Sequence, residues 1–184
     1  MRKKVYKAQG VILKRKNYRE SDRIITVLTR EFGKIKTIAK GVRKISSRRS
    51  GHLEIFTNAK FILYEGRAFD YITQVSAINH YEPFRNDLRK ASCAYYVCEL
   101  ADYLLPDGQE HPEMYERLCQ SFSILAETET EEDRHIELYK FALDMLWELG
   151  FLPRTKRVAA SSMHEYIEYI TERRLKTLKL LKRV

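Results

Sequence analysis

The sequence predicts an α+β protein, with a five-stranded β-barrel over residues 1–80 and an all-α helical domain over 81–184. Three observations lead there. Short β-branched runs separated by glycine and serine turns fill the first 80 residues. From Leu88 onward, apolar residues recur at helical spacing instead. The charge changes with the pattern. Residues 1–80 carry 19 Lys/Arg against 6 Asp/Glu, a net +13, and residues 81–150 carry 6 against 16, a net −10. Residues 151–184 carry 9 against 3, a net +6, so that the 184-residue chain totals +9. Pro83 disfavours helix at the residue before it and marks the boundary.

The elements follow in order. Tyr6 to Leu13 is the first strand, with Gly10 suited to a bulge or bend. Ile24 to Thr29 is the second, rich in β-branched residues. Glu31-Phe32-Gly33-Lys34 supplies a tight hairpin with Gly33 at positive φ. Lys34 to Lys40 returns as the third strand, and Gly41 to Gly51 is a loop of Ser, Lys and Arg. Leu53 to Tyr64 is a fourth strand, long enough to bend, with Phe56 and Phe61 in the barrel interior. Glu65-Gly66-Arg67 turns the chain into a fifth, Ala68 to Ile78. This pattern fits a small closed or nearly closed barrel, and an SH3-like barrel is its nearest competitor. In the second half, Leu88, Ala91, Tyr95, Cys98, Ala101 and Leu105 share one helix face. Asn86 or Asp87 caps that helix, and Pro106-Asp107-Gly108 ends it. Pro112 opens the next helix, which carries Leu118, Phe122 and Leu125. A third, with Leu138, Phe141, Met145 and Leu149, starts at Glu131, Glu132 and Asp133, where the helix dipole favours negative charge. Gly150 stops it. Residues 160–183 read as a further helix.

Composition and motifs exclude several classes. A hydrophobic fraction of 44% with 32% charged residues is globular. No run approaches the length of a membrane span. Met1-Arg2-Lys3-Lys4 is charged, but no apolar stretch and cleavage site follow, so no secretory signal is expected. Cys93, Cys98 and Cys119 form no CxxC pair, which predicts reduced, mostly buried thiols in a cytoplasmic protein and no zinc site. No phosphate-binding glycine loop, HExxH or GxSxG is present, and the five His are scattered. Glu20 and Asp22 are flanked by Arg19 and Arg23 and read as ion pairs rather than a two-metal site. The sequence therefore predicts no enzyme, no cofactor and no metal.

The positive signal is cationic. Lys14, Arg15, Lys16, Tyr18, Arg19 and Arg23 cover the first strand end and its turn. Lys34, Lys36 and Lys40 lie along the third strand, and Arg43, Lys44, Arg48 and Arg49 on the Ser-rich loop. Such a loop can follow a phosphate backbone without reading bases. Tyr18 sits in a polar turn and is the stacking candidate. Phe32, Phe56, Tyr64, Phe69 and Tyr71 are further possible stacking platforms, although core packing is the preferred reading for each. Two rival classes are an RNA-binding or translation-associated barrel protein and a membrane-surface protein using the basic segment Lys176 to Val184. The leucines of that segment read instead as packing on the preceding helices.

Several of these segments resemble, in order, the RecO family of bacterial DNA repair proteins and recombination mediators. They are Tyr18-Arg19-Glu20-Ser21-Asp22-Arg23, Leu28-Thr29-Arg30-Glu31-Phe32-Gly33-Lys34 and Ala39-Lys40-Gly41-Val42-Arg43 with the Ser-Arg loop. Leu53-Glu54-Ile55-Phe56, Glu99-Leu100-Ala101-Asp102 and Leu149-Gly150-Phe151-Leu152-Pro153 continue the match, over about residues 5–153. The resemblance implies an N-terminal OB-fold and a helical domain. It implies binding of single- and double-stranded DNA, annealing of complementary strands, and no bond-making chemistry. It implies RecR and the C-terminal tail of SSB as partners, RecA indirectly, no membrane, and a cytoplasmic, nucleoid-associated location. DNA would lie on the basic residues of the barrel. The SSB tail would lie in the helical domain, where Arg117, Arg134, Lys140 and the basic C-terminal helix are the available cations. One departure stands out. Many members carry a four-cysteine zinc module after the segment matched by Leu149 to Pro153, whereas Arg154 to Ala160 holds no cysteine.

Overall fold

The computed structural model describes residues 5–181. Met1 to Lys4 and Lys182 to Val184 lie outside the described residues, and with them the charged N-terminus and the end of the basic C-terminal segment. Five strands form the first half: β1 (Val5–Tyr18), β2 (Asp22–Thr29), β3 (Gly33–Ala39), β4 (Asn58–Tyr64) and β5 (Asp70–Asn79). They close into a barrel in the order β1-β2-β3-β5-β4. All pairings are antiparallel except β3 with β5, which run parallel.

The first strand is longer than its β-branched run, because it serves two neighbours. Val5 to Val11 pairs with β4, and Gly10 to Tyr18 pairs with β2. Lys14 to Tyr18 is polar, yet it stays extended because β2 satisfies its backbone. The bulge falls between Ile12 and Lys14 rather than at Gly10. Gly10 answers a different need. A Cβ there would stand 2.6 Å from the Leu28 carbonyl oxygen and 2.6 Å from a Val27 methyl. Gly33 turns the β2–β3 hairpin at φ +63°, as expected. Ile12, Ile25, Val27, Leu53, Phe61, Leu63 and Ile72 fill the barrel.

The fourth strand begins at Asn58, not Leu53. Ser50–Leu53 is a 3-10 turn that drives the fully buried Leu53 into the barrel. Phe56 is buried but takes φ +73°, which no continuous strand allows. Its amide donates to the Ile12 carbonyl at 3.0 Å, and the Ile12 amide donates to the Thr57 carbonyl at 3.0 Å. The segment thus docks on the β1 bulge.

The helical half contains α1 (Pro83–Asn86), α2 (Leu88–Leu104), α3 (Pro112–Glu127), α4 (Glu131–Glu148), α5 (Met163–Thr171) and α6 (Leu178–Leu181). Asp87 caps α2, accepting the Arg89 amide at 2.7 Å. Thr130 caps α4, whose first turn holds Glu131, Glu132 and Asp133. The one-sided reading of α2 is corrected. Leu88 and Tyr95 are exposed, while Ala94, Tyr96, Val97 and Leu100 are buried with Ala91, Cys98 and Ala101. Short side chains let neighbours approach α2 on most sides.

The continuous helix expected over 160–183 is also corrected. Ala160–Ser162 is a 3-10 turn, and α5 stops where Glu172 adopts left-handed φ +54°. Carboxylates then hold the chain out of helix. Glu168 accepts the Leu175 amide at 2.7 Å, and Glu99 accepts the amides of Lys176 and Thr177 at 3.0 Å each.

The described residues up to His80 form one compact unit together with Pro106–Tyr115; Tyr81–Leu105 and the described residues from Glu116 onward form the other. Within the first unit, the Gly108 amide donates to the Lys34 carbonyl at 2.8 Å, and the Tyr115 hydroxyl donates to Asn58 at 3.1 Å. Within the second, Arg117 joins α3 to α4 through Glu137 at 2.7 Å and Asp144 at 2.6 Å. Burial works against the Arg117 charge, but these two carboxylates outweigh it and raise its pKa.

The Gly10 contact is testable. Gly10→Ala forces Cβ against β2 backbone and should cost about 1–3 kcal/mol in urea unfolding, the range for overpacking. Gly51→Ala, with nothing within 4 Å of the added Cβ, should change stability little.

Candidate nucleic-acid interface

The predicted cations separate into three groups once their partners are known. Lys14, Lys16, Arg19, Lys40, Lys44 and Arg48 are exposed. Lys14 and Lys16 stand on the second half of β1, and the register sets Lys14, Thr26 and Lys36 in one row across three strands. Arg19 sits in the β1–β2 turn at φ +49°, with its guanidinium 5.2 Å from the centre of the Tyr18 ring. Lys40 follows β3, and its ammonium lies 4.4 Å from the centre of the Tyr71 ring.

A second group is compensated by carboxylates. Arg15 pairs with Glu54, and Arg23 reaches the same oxygen at 3.8 Å. Lys36 pairs with Asp107 at 2.6 Å. The third group builds the structure. Lys34 is buried, 5% exposed, with its ammonium 3.3 Å from Asp107. Arg43 donates to the Glu20 carbonyl at 3.0 Å. The Arg49 guanidinium donates to the Ile72 carbonyl at 2.8 Å and to the Lys40 carbonyl at 2.7 Å. Arg49 thereby ties the Ser-rich loop to β5 and to the end of β3. The local ion pairing expected around Glu20 and Asp22 is replaced by backbone contacts. Asp22 accepts the Gly41 amide at 2.8 Å, while Arg23 turns to Glu54.

The loop after β3 also meets the β1–β2 turn, because the Arg43 amide donates to the Ser21 carbonyl at 3.0 Å. Arg19, Lys40 and the loop cations therefore gather at one end of the barrel. Tyr18, Phe69 and Tyr71 line a small cavity at that end, and all three are half-buried. Sequence reasoning preferred core packing for Phe69 and Tyr71 over a stacking role. The signal for Tyr71 was available, since it precedes buried Ile72 on the same strand and so points to the opposite face.

Asp107 shows the balance of terms at the paired lysines. Partial burial works against its ionisation, but the hydrogen bond from Lys36 and the charge of Lys34 prevail and hold its carboxyl below the usual range. The cysteines behave differently. Burial pushes up the thiols of Cys93 and Cys98. Among the described residues no group of three or more His, Cys, Asp or Glu could hold a metal ion. The described residues thus offer no donor set for a zinc module. No helix among the described residues is long and apolar enough to cross a membrane.

A closed five-stranded barrel whose first strand pairs with both β2 and β4, sealed by parallel β3 and β5, is an OB-fold, here joined to a helical region. Residues 1–81 match the family described as Recombination protein O N terminal, and residues 85–180 match Recombination protein O C terminal. A DNA repair protein RecO from Moorella thermoacetica is 39% identical over 126 residues, covering 68% of this chain and 47% of its own length. Its counterpart from Desulfitobacterium hafniense is 35% identical over 150 residues, 82% of this chain and 54% of its own. That from Symbiobacterium thermophilum is 32% identical over 149 residues, 81% and 58% respectively. The chain belongs to the RecO family of DNA repair proteins. It spans about half the length of the curated relatives it matches.

The Asp107 pairing predicts a pH dependence of definite sign. A carboxyl whose folded pKa lies below its unfolded value stabilises the fold above the unfolded pKa and ceases to do so as pH falls through the folded one. Asp107→Asn should therefore be less stable than the parent at pH 7. The gap should close as pH drops below the ordinary carboxylate range of about 4. Urea midpoints of both proteins between neutral and acid pH check this.

Proposed function

We propose that the protein is a recombination mediator that acts by binding DNA rather than by bond-making chemistry. It binds single- and double-stranded DNA through the barrel and anneals complementary strands. With RecR it helps load RecA onto strands coated by SSB. Family membership carries this reading, and the exposed cations at one end of the barrel support it. Annealing must bring two polyanions together. Lysine and arginine side chains that neutralise phosphates on both strands lower that repulsion, and base pairing supplies the sequence match.

On this reading the phosphates are met chiefly by the exposed Lys16, Arg19, Lys40, Lys44 and Arg48, with Lys14 beside Lys16 on β1. Arg15, Arg23 and Lys36 spend part of their charge on Glu54 and Asp107. Lys34, Arg43 and Arg49 serve the fold of the barrel and its loop.

On the same reading the SSB tail binds the helical unit. A groove of about 880 Å³ runs along α3 and α4, with Ile136, Leu143 and Trp147 as its apolar lining and Lys140 and Arg157 as its cations. Glu132, Glu137 and Asp144 also line it, and the last two are already paired with Arg117. An acidic, apolar peptide end suits that surface. Arg134 does not contribute, because it is buried and donates to the Glu129 carbonyl at 2.8 Å.

Annealing of SSB-coated complementary strands tests the whole reading, and the protein should accelerate it. Contact with about 5 phosphates gives a log–log salt slope near −3.5 for single strands, at roughly −0.7 per contact. Replacing Lys16, Lys44 and Arg48 together by Ala should reduce the slope by about 2 and weaken all sequences alike. A slope unchanged by the triple substitution would remove these residues from the interface. For the tail, Lys140→Glu in the full chain should weaken binding of a labelled SSB tail peptide, measured by anisotropy.

A further inference from the structure

One anion on the barrel comes from outside the barrel strands. Asp107 belongs to the connection between α2 and α3, yet its carboxylate lies on β3. It stands 2.6 Å from the Lys36 ammonium and 3.3 Å from that of Lys34. Thr26 and Lys36 alternate with the core residues Ile25, Val27 and Ile35, so the row of Lys14, Thr26 and Lys36 faces outward. Lys14 is two strand spacings from Lys36 in that row, about 10 Å. A carboxylate held by two ammonium groups, with a third lysine in the same row, marks an oxyanion site that the chain fills with its own side chain.

The carboxylate is tethered there but not locked. Its backbone is held, since Asp107 forms a parallel bridge with Lys34 and the Gly108 amide donates to the Lys34 carbonyl at 2.8 Å. Gln109 packs so closely that a Cβ on Gly33 would stand 1.7 Å from its carbonyl oxygen. Farther along, the Tyr115 hydroxyl donates to Asn58 at 3.1 Å and accepts from the Gln9 side-chain amide at 2.8 Å. The side chains of the pair are freer. Those of Asp107 and Lys36 are 51% and 46% exposed, against 6% for Lys34. A pair so open to water is weak, and rotation of one side chain opens it. The segment that carries Asp107 stays on the barrel when that happens.

We propose that Asp107 is an internal competitor for this site: a DNA backbone phosphate displaces its carboxylate from Lys36, and the carboxylate returns when the phosphate leaves. The inference rests on the DNA-binding reading above and adds an autoinhibitory contact to it. A free anion in solution meets a carboxylate tethered at high effective concentration and loses. A strand already held at Lys16, Arg19 and Lys40 presents its next phosphates at high effective concentration as well, and prevails. Asp107 thereby raises the threshold for stable contact from a single phosphate to a continuous strand. It also offers Lys36 a replacement anion as a strand departs, which speeds release once complementary strands have paired.

A double-mutant cycle tests this, with binding of a labelled single-stranded oligonucleotide read by anisotropy at fixed salt. Asp107→Asn should bind about two- to fivefold more tightly than the parent, the span expected for an exposed ion pair. In the Lys36→Ala background, Asp107→Asn should bring no gain. An equal gain in both backgrounds would overturn the proposal, because it would report general repulsion between the carboxylate and DNA. No gain, or a loss, in an Asp107→Asn protein shown to be folded by its urea transition would overturn it too. The parent gives a second readout that depends on no variant. The carbon-13 signal of the Asp107 carboxyl should move when the oligonucleotide is added and stay in place with inorganic phosphate at the same phosphate concentration. A signal unmoved at saturating oligonucleotide would overturn the displacement, and one moved equally by inorganic phosphate would overturn the threshold. In both cases the parent still binds DNA, whereas its failure to bind the oligonucleotide at all would overturn the DNA-binding reading itself.

Discussion

The parallel pairing of Thr37 with Asp70 and of Ile38 with Tyr71 is the contact on which the barrel half depends. Four other strand pairings are antiparallel and could form an open, curled sheet by themselves. The short ladder between β3 and β5 joins the two edges and removes them. It also brings the β1–β2 turn, the end of β3 and the β4–β5 loop to the same end of the barrel. Lys40 and Tyr71, distant in sequence, come into ring contact there. Arg49 reinforces the seam from outside, since its guanidinium bonds carbonyls on both the β3 end and β5.

Acidic side chains decide which cations remain available. Glu54 takes Arg15 and shares Arg23, while Asp107 takes Lys36 and accompanies the buried Lys34. A net charge of +13 over residues 1–80 is thus not a uniform field. Arg15, Arg23, Lys34 and Lys36 face carboxylates, while Arg19, Lys40, Lys44 and Arg48 stand exposed near strand ends. The acidic residues of the helical half also have structural duties. Asp87 caps α2, Glu137 and Asp144 hold Arg117, and Glu99 fixes the turn before α6.

Much of this was legible beforehand. Period-two runs marked the strands, and Gly33, Asp87, Pro112 and Gly150 marked turns and helix ends, because these residues act on their own backbone. Three features were not. The segment from Leu53 to Thr57 looks like strand by composition, but its conformation follows from docking on the β1 bulge. The segment between α5 and α6 looks helical by composition, but Glu99 and Glu168 supply acceptors that a helix would otherwise provide. The available cations could not be separated from the paired ones, since Glu54 and Asp107 lie far from Arg15 and Lys34 in sequence.

The sequence by itself determined the class of fold, the division into a basic β half and a mostly acidic α half, and the family. Those depend on local periodicity, turn chemistry and charge counts, which are properties of neighbouring residues. The tertiary structure decided which lysines and arginines face solvent, which residue anchors the cationic loop, and that Tyr18, Phe69 and Tyr71 share one cavity. Those depend on strand register and on barrel closure. A register is fixed by contacts between distant segments, and a shift of one residue would send a strand's side chains to the other face.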